Sequence, residues 1–471
     1  MEHITTHYIN GTFAPSHGQR VRDIVSPVTG ELIGDGLLAD VEDTRAAIAA
    51  AREAFAQWSA TSVRERQGYL QRLADAIDAH RDELGGAMSA EYGAISAFTS
   101  GVVDASRDWY LQAKDVIGRT VFSERVNTAQ VRRVPVGVAA LITPWNGSAW
   151  FMAVKSAAAL AAGCTVVMKP SENSILQSHA FARAVHDAGL PPGVINIVYG
   201  LGGDVGKELT TNPDVDKISF TGSTPVGKAI ARSAVNTMKR VTLELGGKAP
   251  TVVLDDADFD DAVQYALTVW LFNSGQACVS GARLLVPESR VEEVKRLILD
   301  KIGSFKVGPP HDPGSMVGPM ATQAHFDRVQ SYIRLGLEEG ATLLTGGEGR
   351  PEGLDAGTFA RPTVFVDVTP DMRIAQEEIF GPVLSVLTYR DDEEAVRIAN
   401  GTDYGLQAYV LGEPEHAHRV ALRITAGRVA VNVMPADSEA PFGGLKQSGI
   451  GREFGHYGID EYLEHTSVFS N

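Results

Sequence analysis

The sequence predicts an α/β fold organised around parallel sheets, because short apolar strands alternate with helical segments over most of the chain. From Val134 onward, strand-like stretches are separated by Ala-rich or polar segments of about a dozen residues, which is typical of βαβ units. The chain has 471 residues, which corresponds to roughly three domains of about 150 residues each. Its hydrophobic and charged fractions, 44% and 21%, are those of a globular protein rather than of a disordered or coiled-coil chain.

Charge and cysteine content exclude several classes of protein. Lys and Arg number 42 and Asp and Glu 58, so the net charge is −16, and we expect no nucleic-acid partner. Two cysteines, Cys164 and Cys278, are too few for a disulfide scaffold and favour a reducing compartment. The N-terminal segment lacks the features of a signal peptide. Prolines and glycines break the uncharged stretch from Val134 to Val154, which favours a buried βαβ core over a membrane span. We therefore expect a cytoplasmic protein without a membrane partner.

The first third of the chain is predicted to be helical after a short β-like start. Residues from Ala46 to Trp58 have the apolar spacing of an amphipathic helix. Ser62 and Glu65 stand at the spacing of a capping box, and Leu70 and Leu73 follow at helical spacing. We therefore expect a second helix to begin just after Ser62.

The remaining chain divides into two blocks of predicted strands. The first block contains VGVAALIT, TVVMK, VINIVYG, KISFTG and VTLEL, and the second contains TVVLDD, RLLVPE, ATLLTGG, PTVFVDV and LSVLTY. Two further segments, from Thr120 to Arg133 and the tail YLEHTSVF, resemble isolated strands that must pair elsewhere, in this chain or with another subunit. No Pro/Ser-rich linker separates the blocks, so we expect interleaved domains.

Glycines and charged residues follow the strands of the first block. Gly222 ends KISFTG and Gly227 lies in the next predicted helix, where backbone N–H groups could face an anion. The turn starting at Gly200 matches a G-x-G-x-x-G fingerprint only weakly, and an ordinary Gly-rich turn fits it equally well. Lys169 and Glu172 follow TVVMK, where side chains reach the crevice that binds nucleotides in such sheets. A carboxylate there would repel a 2′-phosphate, which favours NAD over NADP, although an exposed Lys/Glu pair is the alternative.

Three side chains are candidates for chemistry at strand or helix ends. Cys278 follows an apolar helix and a Gly-containing turn that could present its thiol to a cleft, although a lone cysteine is more often inert. Glu244 has apolar neighbours at a strand end, where burial could raise its pKa toward that of a general base. Asn146 follows Pro144 and Trp145 and is a neutral donor suited to an oxyanion. Cys164, at the start of a strand, is expected to be a buried structural residue.

The histidines give no indication of a metal site. His416 and His418 have no cysteine or carboxylate at ligand spacing, and the sequence contains no HExxH, CxxC or Walker motif. We therefore expect no bound metal.

Seven motifs together resemble those of the aldehyde dehydrogenase superfamily, of the NAD(P)-dependent, non-acylating type. They occur in order over essentially the whole chain and are far more specific as a set than singly. They are TPWN (143–146), MKPSE (168–172), FTGSTPVG (220–227), LELGGKAP (243–250), FNSGQAC (272–278), EEIFGPV (377–383) and APFGGLKQSGIGRE (440–453).

The resemblance implies an aldehyde-dehydrogenase-like α/β fold with three parts. These are a Rossmann-like cofactor domain at 1–116 and 136–246, an α/β catalytic domain at 247–458, and a small β oligomerisation element at 117–135 and 459–471. This arrangement would account for the two isolated strands and suggests a homodimer or homotetramer.

The resemblance also implies a mechanism for oxidising a small-molecule aldehyde. Cys278 would attack the aldehyde to give a thiohemiacetal, Asn146 would stabilise the oxyanion, and Glu244 would activate the water that hydrolyses the resulting thioester. Lys155 and Glu453 match family positions near the site and would assist proton transfer, although an ion pair between Glu453 and a neighbouring arginine is the alternative.

The cofactor implied by the resemblance is NAD, with NADP possible. The residues expected to contact it are Thr143, Trp145, Lys169, Ser171, Glu172, Gly202, Phe220, Gly222, Ser223, Gly227, Leu245, Glu378 and Phe380.

The residues near Asn146 suggest an aromatic or a medium-to-long apolar aldehyde. Gly147 replaces the bulky residue that many relatives carry, and Trp150 and Phe151 lie one helical turn further on. Together with Phe272 and Phe442 they could line a wide aromatic tunnel, although Trp150 and Phe151 could equally be helix packing. Asp437 and Glu439 would disfavour semialdehydes that carry a carboxylate if they faced the mouth of the tunnel.

Four other functions remain open at this stage. A semialdehyde dehydrogenase would differ only in its pocket, whereas a CoA-acylating enzyme would not need the base Glu244. A non-catalytic NAD-binding protein on the same fold would not need Cys278. A cysteine hydrolase would need a Cys–His pair, which is not evident near Cys278.

Overall fold

The computed structural model describes residues 1–470. Within this range the N-terminal region contains five short strands followed by four helices. They are β1 (Glu2–Ile4), β2 (Thr6–Ile9), β3 (Thr12–Pro15), β4 (Arg20–Val25), β5 (Leu32–Leu38), α1 (Val41–Ser59), α2 (Val63–Ala79), α3 (Arg81–Tyr92) and α4 (Ser96–Arg119). The predicted capping box is confirmed, because the Ser62 hydroxyl accepts the Glu65 N–H at 3.2 Å and the Glu65 carboxylate accepts the Ser62 N–H at 2.7 Å.

Strands and helices then alternate as predicted. After the strands β6 (Ser123–Val126) and β7 (Ala129–Pro135), the elements are β8 (Val138–Ile142), α5 (Ser148–Ala162), β9 (Thr165–Lys169), α6 (Ile175–Ala188), β10 (Ile195–Ile197), α7 (Lys207–Thr211), β11 (Lys217–Thr221), α8 (Thr224–Ala234) and β12 (Arg240–Glu244). Strands β8, β9 and β11 are buried along their whole length, as expected for central strands of a parallel sheet covered on both faces.

The second half of the chain contains the other predicted strands and several short ones. The elements are β13 (Pro250–Val253), α9 (Phe259–Leu271), β14 (Arg283–Pro287), α10 (Val291–Ile302), α11 (Gln323–Glu338), β15 (Thr342–Thr345), β16 (Thr363–Val366), α12 (Arg373–Gln376), β17 (Val383–Tyr389), α13 (Asp392–Asn400), β18 (Tyr404–Gly405), β19 (Gln407–Leu411), α14 (Pro414–Ala421), β20 (Arg428–Val431), β21 (Leu445–Lys446), β22 (Gly449–Ile450), α15 (Gly455–Asp460) and β23 (Leu463–Phe469).

Two large sheets organise these strands. The first has eight strands in the order β22-β12-β11-β8-β9-β10-β2-β3, and the second has seven in the order β15-β16-β17-β14-β13-β19-β20. Pairing is parallel through the centre of each sheet, and antiparallel strands lie at the edges. The predicted α/β fold is confirmed.

The carboxyl ends of four strands meet at one edge of the eight-stranded sheet. Ile142 pairs with Lys169 on one side and with Phe220 on the other, and Thr221 pairs with Glu244. Ligands bind in the crevice outside the carboxyl ends of the strands in open parallel sheets. The register therefore brings the residues that follow β8, β9, β11 and β12 to the same crevice.

The two strand-like segments predicted to lack a local partner pair with each other. The segment near residue 120 forms the hairpin of β6 and β7, and β23 pairs antiparallel with β7 from Leu463 opposite Pro135 to Phe469 opposite Ala129. Val126, Val468 and Phe469 are exposed on this three-stranded sheet.

A histidine far from the cavity predicts a pH-dependent contribution to stability. His416 on α14 contacts Asp392 through Nε2 at 2.7 Å and Asp256 through Nδ1 at 2.6 Å, and these hydrogen bonds raise its pKa above 6.5. A raised pKa gives stabilisation that is complete below pH 6.5 and is lost as the pH rises through the folded-state value. We expect His416→Gln to lower the apparent Tm by about 1–2 °C at pH 6 and by less at pH 9. Calorimetry at both pH values checks this, and equal losses would contradict it.

Candidate active site

A cavity of about 630 Å³ lies between the two large sheets, and Cys278, Glu244 and Asn146 all line it. Thr221 and Glu244 reach it from the eight-stranded sheet, and Tyr409 and Arg428 reach it from the seven-stranded sheet. Its volume is within the range of about 300–1,000 Å³ that is usual for small-molecule sites.

The segment that carries Cys278 is held in an unusual backbone conformation. After α9 ends, Asn273 and Ser274 have φ of 52° and 59°, a left-handed conformation that is costly for residues other than glycine. Hydrogen bonds stabilise it: the Tyr92 hydroxyl donates to Asn273 Oδ1 at 2.7 Å, and Asn273 Nδ2 donates to the Asn146 carbonyl at 3.2 Å. The amide of Asn273 thus ties the cysteine segment to the turn that carries Asn146.

Gln276 fixes the chain two residues before the thiol. Its side chain donates to the Pro319 carbonyl at 3.1 Å and accepts the Ala321 N–H at 3.0 Å. Sequence reasoning did not single out Asn273 or Gln276, although both lie in the motif FNSGQAC. The sequence feature that could have identified them is that two amide side chains follow an apolar helix directly.

Asn146 keeps a hydrogen-bond donor available beside the thiol. Its Nδ2 donates one hydrogen bond, to the Gln276 carbonyl at 2.9 Å, whereas an amide nitrogen has two hydrogens to donate. Because the side chain lines the same cavity as Cys278, its second N–H is placed for an oxygen bound there.

The thiol and the carboxyl group in the cavity both favour their neutral forms. Burial raises the pKa of Cys278, and the carboxylates of Glu378 and Glu244 raise it further. Burial also raises the pKa of Glu244 well above its usual range, with a further contribution from Glu453 that Lys155 opposes. Neither carboxyl oxygen of Glu244 has a hydrogen-bond partner among residues 1–470. Because its pKa is raised, the ionised form of Glu244 is a stronger base than an ordinary carboxylate and is suited to accept a proton from a bound molecule.

A glycine makes room for Glu244. Gly443 has φ of +158°, and a Cβ there would lie 2.9 Å from Glu244 Oε1. The motif APFGG therefore shapes the carboxylate site as well as the cavity wall.

Lys155 lies behind the cavity rather than in its wall. Its Nζ donates to Glu453 Oε1 at 2.5 Å and to Ser219 Oγ at 2.9 Å, and of these three residues Glu453 lines the cavity. Glu453 thus pairs with Lys155 and not with a neighbouring arginine, so that alternative is wrong.

Most of the residues predicted to contact a cofactor lie along the carboxyl edge of the eight-stranded sheet. Lys169 is buried there, with Nζ 3.5 Å from the Glu172 carboxylate. Gly227 contacts Leu245 so closely that a Cβ would lie 2.4 Å from its side chain. Ser223 is the exposed N-cap of α8 and makes no capping hydrogen bond. The residues placed at this edge are Thr143, Lys169, Ser171, Glu172, Phe220, Gly222, Ser223, Gly227 and Leu245. Gly202 is exposed in the helical turn that follows β10, which is parallel to β9 and ends at the same edge.

Glu378 and Phe380 approach this edge from the seven-stranded sheet. Glu378 Oε1 accepts the Gly247 N–H at 2.9 Å, and burial raises the pKa of Glu378 to about 7. Phe380 has φ of 64°, and its ring packs edge-on against Trp145 at 5.6 Å. The His325 side chain hydrogen-bonds the Phe380 carbonyl at 2.6 Å and is a support that sequence reasoning missed.

The predicted substrate residues all line the cavity: Gly147, Trp150, Phe151, Phe272 and Phe442. Gly147 has φ of +139°, and a Cβ there would meet no atom closer than 4.0 Å, so its lack of a side chain leaves open space. Sequence reasoning missed Trp109 and Phe454, whose rings lie 4.3 Å apart in the same wall. The aromatic wall is therefore wider than predicted.

The mouth of the cavity carries less free negative charge than expected. Asp437 lines the cavity, but Glu439 forms an ion pair with Arg119 of α4. The argument against carboxylate-bearing substrates therefore rests on one acidic residue and not two.

Other features of the sequence have structural explanations. Cys164 is buried, with its Sγ against the Tyr462 carbonyl at 3.5 Å, and both cysteines are free. Ligand atoms of Asp255, Asp256 and His416 lie within 4.8 Å of one another. Both ring nitrogens of His416 contact carboxylates, Nδ1 that of Asp256 and Nε2 that of Asp392.

The described part of the chain contains no helix long and apolar enough to cross a membrane.

The fold and the cavity define a two-sheet α/β protein in which a thiol, a carboxyl group and an amide converge. The model of the aldehyde dehydrogenase family matches residues 13–468. A Staphylococcus saprophyticus relative named a putative aldehyde dehydrogenase is 43% identical over 470 residues, which is 99% of each chain. Aldehyde dehydrogenase C from Pseudomonas syringae, solved as a mutant with NAD+ and octanal, matches with a TM-score of 0.97 and 43% identity and covers 99% of this chain and 96% of that one. Betaine aldehyde dehydrogenase from Staphylococcus aureus, solved with NAD+, matches with a TM-score of 0.96 and 35% identity over 99% and 94% of the two chains.

The chain therefore belongs to the aldehyde dehydrogenase family. The resemblance inferred from the seven motifs is confirmed.

Proposed function

We propose that this protein oxidises an aldehyde to the carboxylic acid with NAD as the electron acceptor. The observation that supports this most directly is the convergence of Cys278, Asn146 and Glu244 on one cavity. The balanced reaction consumes the aldehyde, NAD+ and water and gives the acid, NADH and a proton.

The residues at the sheet edge fit a dinucleotide. The hydroxyls of Thr143 and Thr221 are buried there without a hydrogen-bond partner among the described residues, which is costly unless a ligand supplies one. Lys169 and Glu172 are placed for ribose hydroxyls, and the Glu172 carboxylate disfavours a 2′-phosphate. Bound NAD+ accepts the hydride that leaves the substrate carbon.

In this proposal Cys278 forms and breaks the covalent bond to the substrate. The thiol, whose pKa burial raises, first loses its proton to solvent. The thiolate then attacks the aldehyde carbon, and the carbonyl oxygen becomes an oxyanion stabilised by the free N–H of Asn146. Loss of hydride from that carbon leaves a thioester on Cys278.

Glu244 then accepts a proton from the water that attacks the thioester, and the acid leaves as the thiolate is restored. Glu453 faces the same cavity and Lys155 holds it by an ion pair. We infer that Lys155 acts through Glu453 as a positioning residue and does not touch the substrate.

We further propose an aromatic or a medium-to-long apolar aldehyde as the substrate. Trp109, Trp150, Phe151, Phe442 and Phe454 provide an extended aromatic wall, and apolar area buried against it favours binding by about 25 cal/mol per Å². The octanal bound to the Pseudomonas syringae enzyme is a substrate of this shape. Short, charged aldehydes would leave much of this wall uncovered.

The first experiment is reduced-cofactor formation across a panel of aldehydes, with NAD and NADP tested separately. The panel contains acetaldehyde, hexanal, octanal, benzaldehyde and succinic semialdehyde. We expect kcat/KM for octanal or benzaldehyde to exceed that for acetaldehyde by at least about 10-fold, since each buried methylene contributes about 0.8 kcal/mol. We expect a preference for NAD of at least about 10-fold. A preference for succinic semialdehyde would contradict the assignment of substrate, and a preference for NADP would contradict the role of Glu172.

We also propose a homodimer or homotetramer in a reducing, cytoplasmic compartment, with the three-part division of the chain given above. The exposed residues Val126, Val468 and Phe469 on the three-stranded sheet support an oligomer, because apolar residues clustered on a surface favour association. The free thiol required at Cys278 supports the reducing compartment.

A further inference from the structure

One charged side chain in the cavity wall has no assigned partner. Arg428 begins β20, and its side chain is half-buried in the wall of the cavity that contains Cys278. Its guanidinium makes no hydrogen bond or ion pair with any residue between 1 and 470. A guanidinium has five N–H donors, so an arginine in a cavity without a partner is expected to serve a ligand.

A second buried arginine shows how this fold satisfies a guanidinium used for structure. Arg283 of β14 donates to the carbonyls of Lys248, Ile398 and Ala399 at 3.0, 2.8 and 2.7 Å. The Arg428 side chain donates to no such carbonyl. Two aromatic rings partly stabilise its positive charge, since its guanidinium carbon lies 5.8 Å from the Phe442 ring and 5.9 Å from the Phe454 ring.

The carboxylates that line this part of the cavity form no ion pair with Arg428. Burial lowers the pKa of Arg428 and the nearby Asp437 raises it, while Asp437 Oδ1 accepts the N–H groups of Glu439 and Ala440 at 2.8 and 3.3 Å. Asp108, which also lines the cavity, pairs with Arg107. The N–H donors of the Arg428 guanidinium therefore remain available to a molecule in the cavity.

The position of Arg428 relative to the thiol follows from the sheet register. Gln407 and Tyr409 lie on the same face of β19, and Arg428 pairs with Gln407 on the neighbouring parallel strand. The Tyr409 hydroxyl donates to the carbonyl of Val279, the residue after Cys278, at 2.9 Å. Arg428 is thus displaced from Tyr409 by two residues, about 6.6 Å, along the strand and by one strand spacing of about 4.8 Å across the sheet. Because Cys278, Arg428 and the aromatic residues Phe442 and Phe454 line one cavity, a single substrate can contact the thiol, the aromatic wall and the guanidinium.

We propose that Arg428 binds a carboxylate at the far end of the aldehyde substrate, so that the preferred substrates are medium-chain or aromatic aldehydes with a terminal carboxylate. This proposal rests on the proposed aldehyde oxidation; it keeps the apolar or aromatic middle of the substrate but gives its far end a carboxylate. The apolar middle of such a molecule covers the aromatic wall, and its carboxylate forms charge-assisted hydrogen bonds with the guanidinium.

The test compares substrates that differ only in the end group. KM and kcat are measured for octanal against 8-oxooctanoate and for benzaldehyde against 4-carboxybenzaldehyde, in the wild type and in Arg428→Met. We expect the variant to raise KM for the carboxylated aldehydes by about 10- to 100-fold and that for octanal by less than about 3-fold. Arg428→Lys should restore part of the difference, because it returns the positive charge.

A matched control removes the same charge outside the cavity. Arg423 lies five residues earlier, is exposed and pairs with Glu393, so Arg423→Met should leave both members of each substrate pair unchanged. An equal loss for octanal and 8-oxooctanoate in Arg428→Met would show that Arg428 only packs against the aromatic rings. A wild-type enzyme without preference for the carboxylated aldehydes would also overturn the proposal.

A binding measurement separates this proposal from the proposed function. Trp109 and Trp150 line the cavity, so their fluorescence can follow binding of octanamide and 8-amino-8-oxooctanoate, which differ by the far carboxylate, to the NAD complex. We expect 8-amino-8-oxooctanoate to bind at least about 10-fold more tightly than octanamide in the wild type, and equally in Arg428→Met. Equal binding in the wild type would overturn the role of Arg428 even if octanal is oxidised. Absence of aldehyde oxidation with the preference intact would instead overturn the proposed function.

Discussion

Replacing Cys278 with alanine is expected to abolish aldehyde oxidation, with a loss of about 10⁴-fold or more in kcat. The described cavity wall contains no second thiol, because the other cysteine, Cys164, is buried against the Tyr462 carbonyl. Without a sulfur the aldehyde carbon stays trigonal, and hydride loss from it is not assisted. Reduced-cofactor formation at saturating aldehyde measures the effect directly.

The matched control for this prediction is Cys164→Ala. It also replaces a thiol by a methyl group, but at a site where the sulfur contacts only protein, so activity should stay within about 3-fold of wild type apart from a modest loss of stability. NAD binding should persist in both variants, since Cys278 does not lie on the strand ends that would hold the dinucleotide. Retained turnover in Cys278→Ala would show that another group is the nucleophile.

The segment that carries the proposed nucleophile, Cys278, is held by contacts that join distant parts of the chain. Asn273 and Gln276 bring together α3, the turn at Asn146 and the segment at Pro319. No periodic pattern in the sequence predicts these contacts, because each joins positions more than 40 residues apart. The sequence could therefore indicate the nucleophile, through its motif, but not the framework that supports it.

Prediction succeeded where local patterns determine structure. The strands of the two blocks were recognised because they are short apolar runs between glycines and prolines, and β9 and β11 match their predicted segments within one residue. The sequence pattern did not predict β1 to β5 as separate strands, because several are only three or four residues long and β4 is largely exposed.

Only some residues of the cavity wall could be identified from the sequence. Phe442 and Trp150 could be selected because they lie in or beside recognisable motifs. Trp109 lies in the middle of α4, where its sequence context indicates only helix packing, and Arg428 lies in an ordinary edge strand. Their importance comes from the cavity that they share, which only the tertiary structure reveals.

Replacing Glu244 with glutamine is expected to separate the two halves of the proposed reaction. Glutamine keeps the shape of the side chain but cannot accept the proton of the attacking water, so steady-state turnover should fall by about 10²- to 10⁴-fold. Attack by Cys278 and loss of hydride come before the step in which Glu244 accepts the proton of water, so they do not require that proton transfer. We therefore expect a rapid burst of NADH of about one equivalent per subunit, followed by a slow phase.

Rapid-mixing absorbance measurements distinguish this outcome from a general loss of structure. Glu91 provides the matched control, because it is another buried glutamate whose pKa burial raises, to about 7. It accepts the backbone N–H groups of Leu176 and Gln177 and does not line the cavity. Glu91→Gln should lower stability without producing a burst. A Glu244→Gln variant that loses the burst as well would place Glu244 in the first half of the reaction.

The same variant also tests the acylating alternative and the electrostatics of the cavity. If the thioester were passed to coenzyme A, adding coenzyme A would restore turnover in Glu244→Gln; we expect no restoration.

Because burial and Glu453 raise the pKa of Glu244, the base is protonated at low pH and the wild-type rate of thioester hydrolysis should increase toward alkaline pH. The residual slow phase of Glu244→Gln should lose that dependence, since the group that titrates is absent. A slow phase with the wild-type pH profile would show that the titrating group is not Glu244.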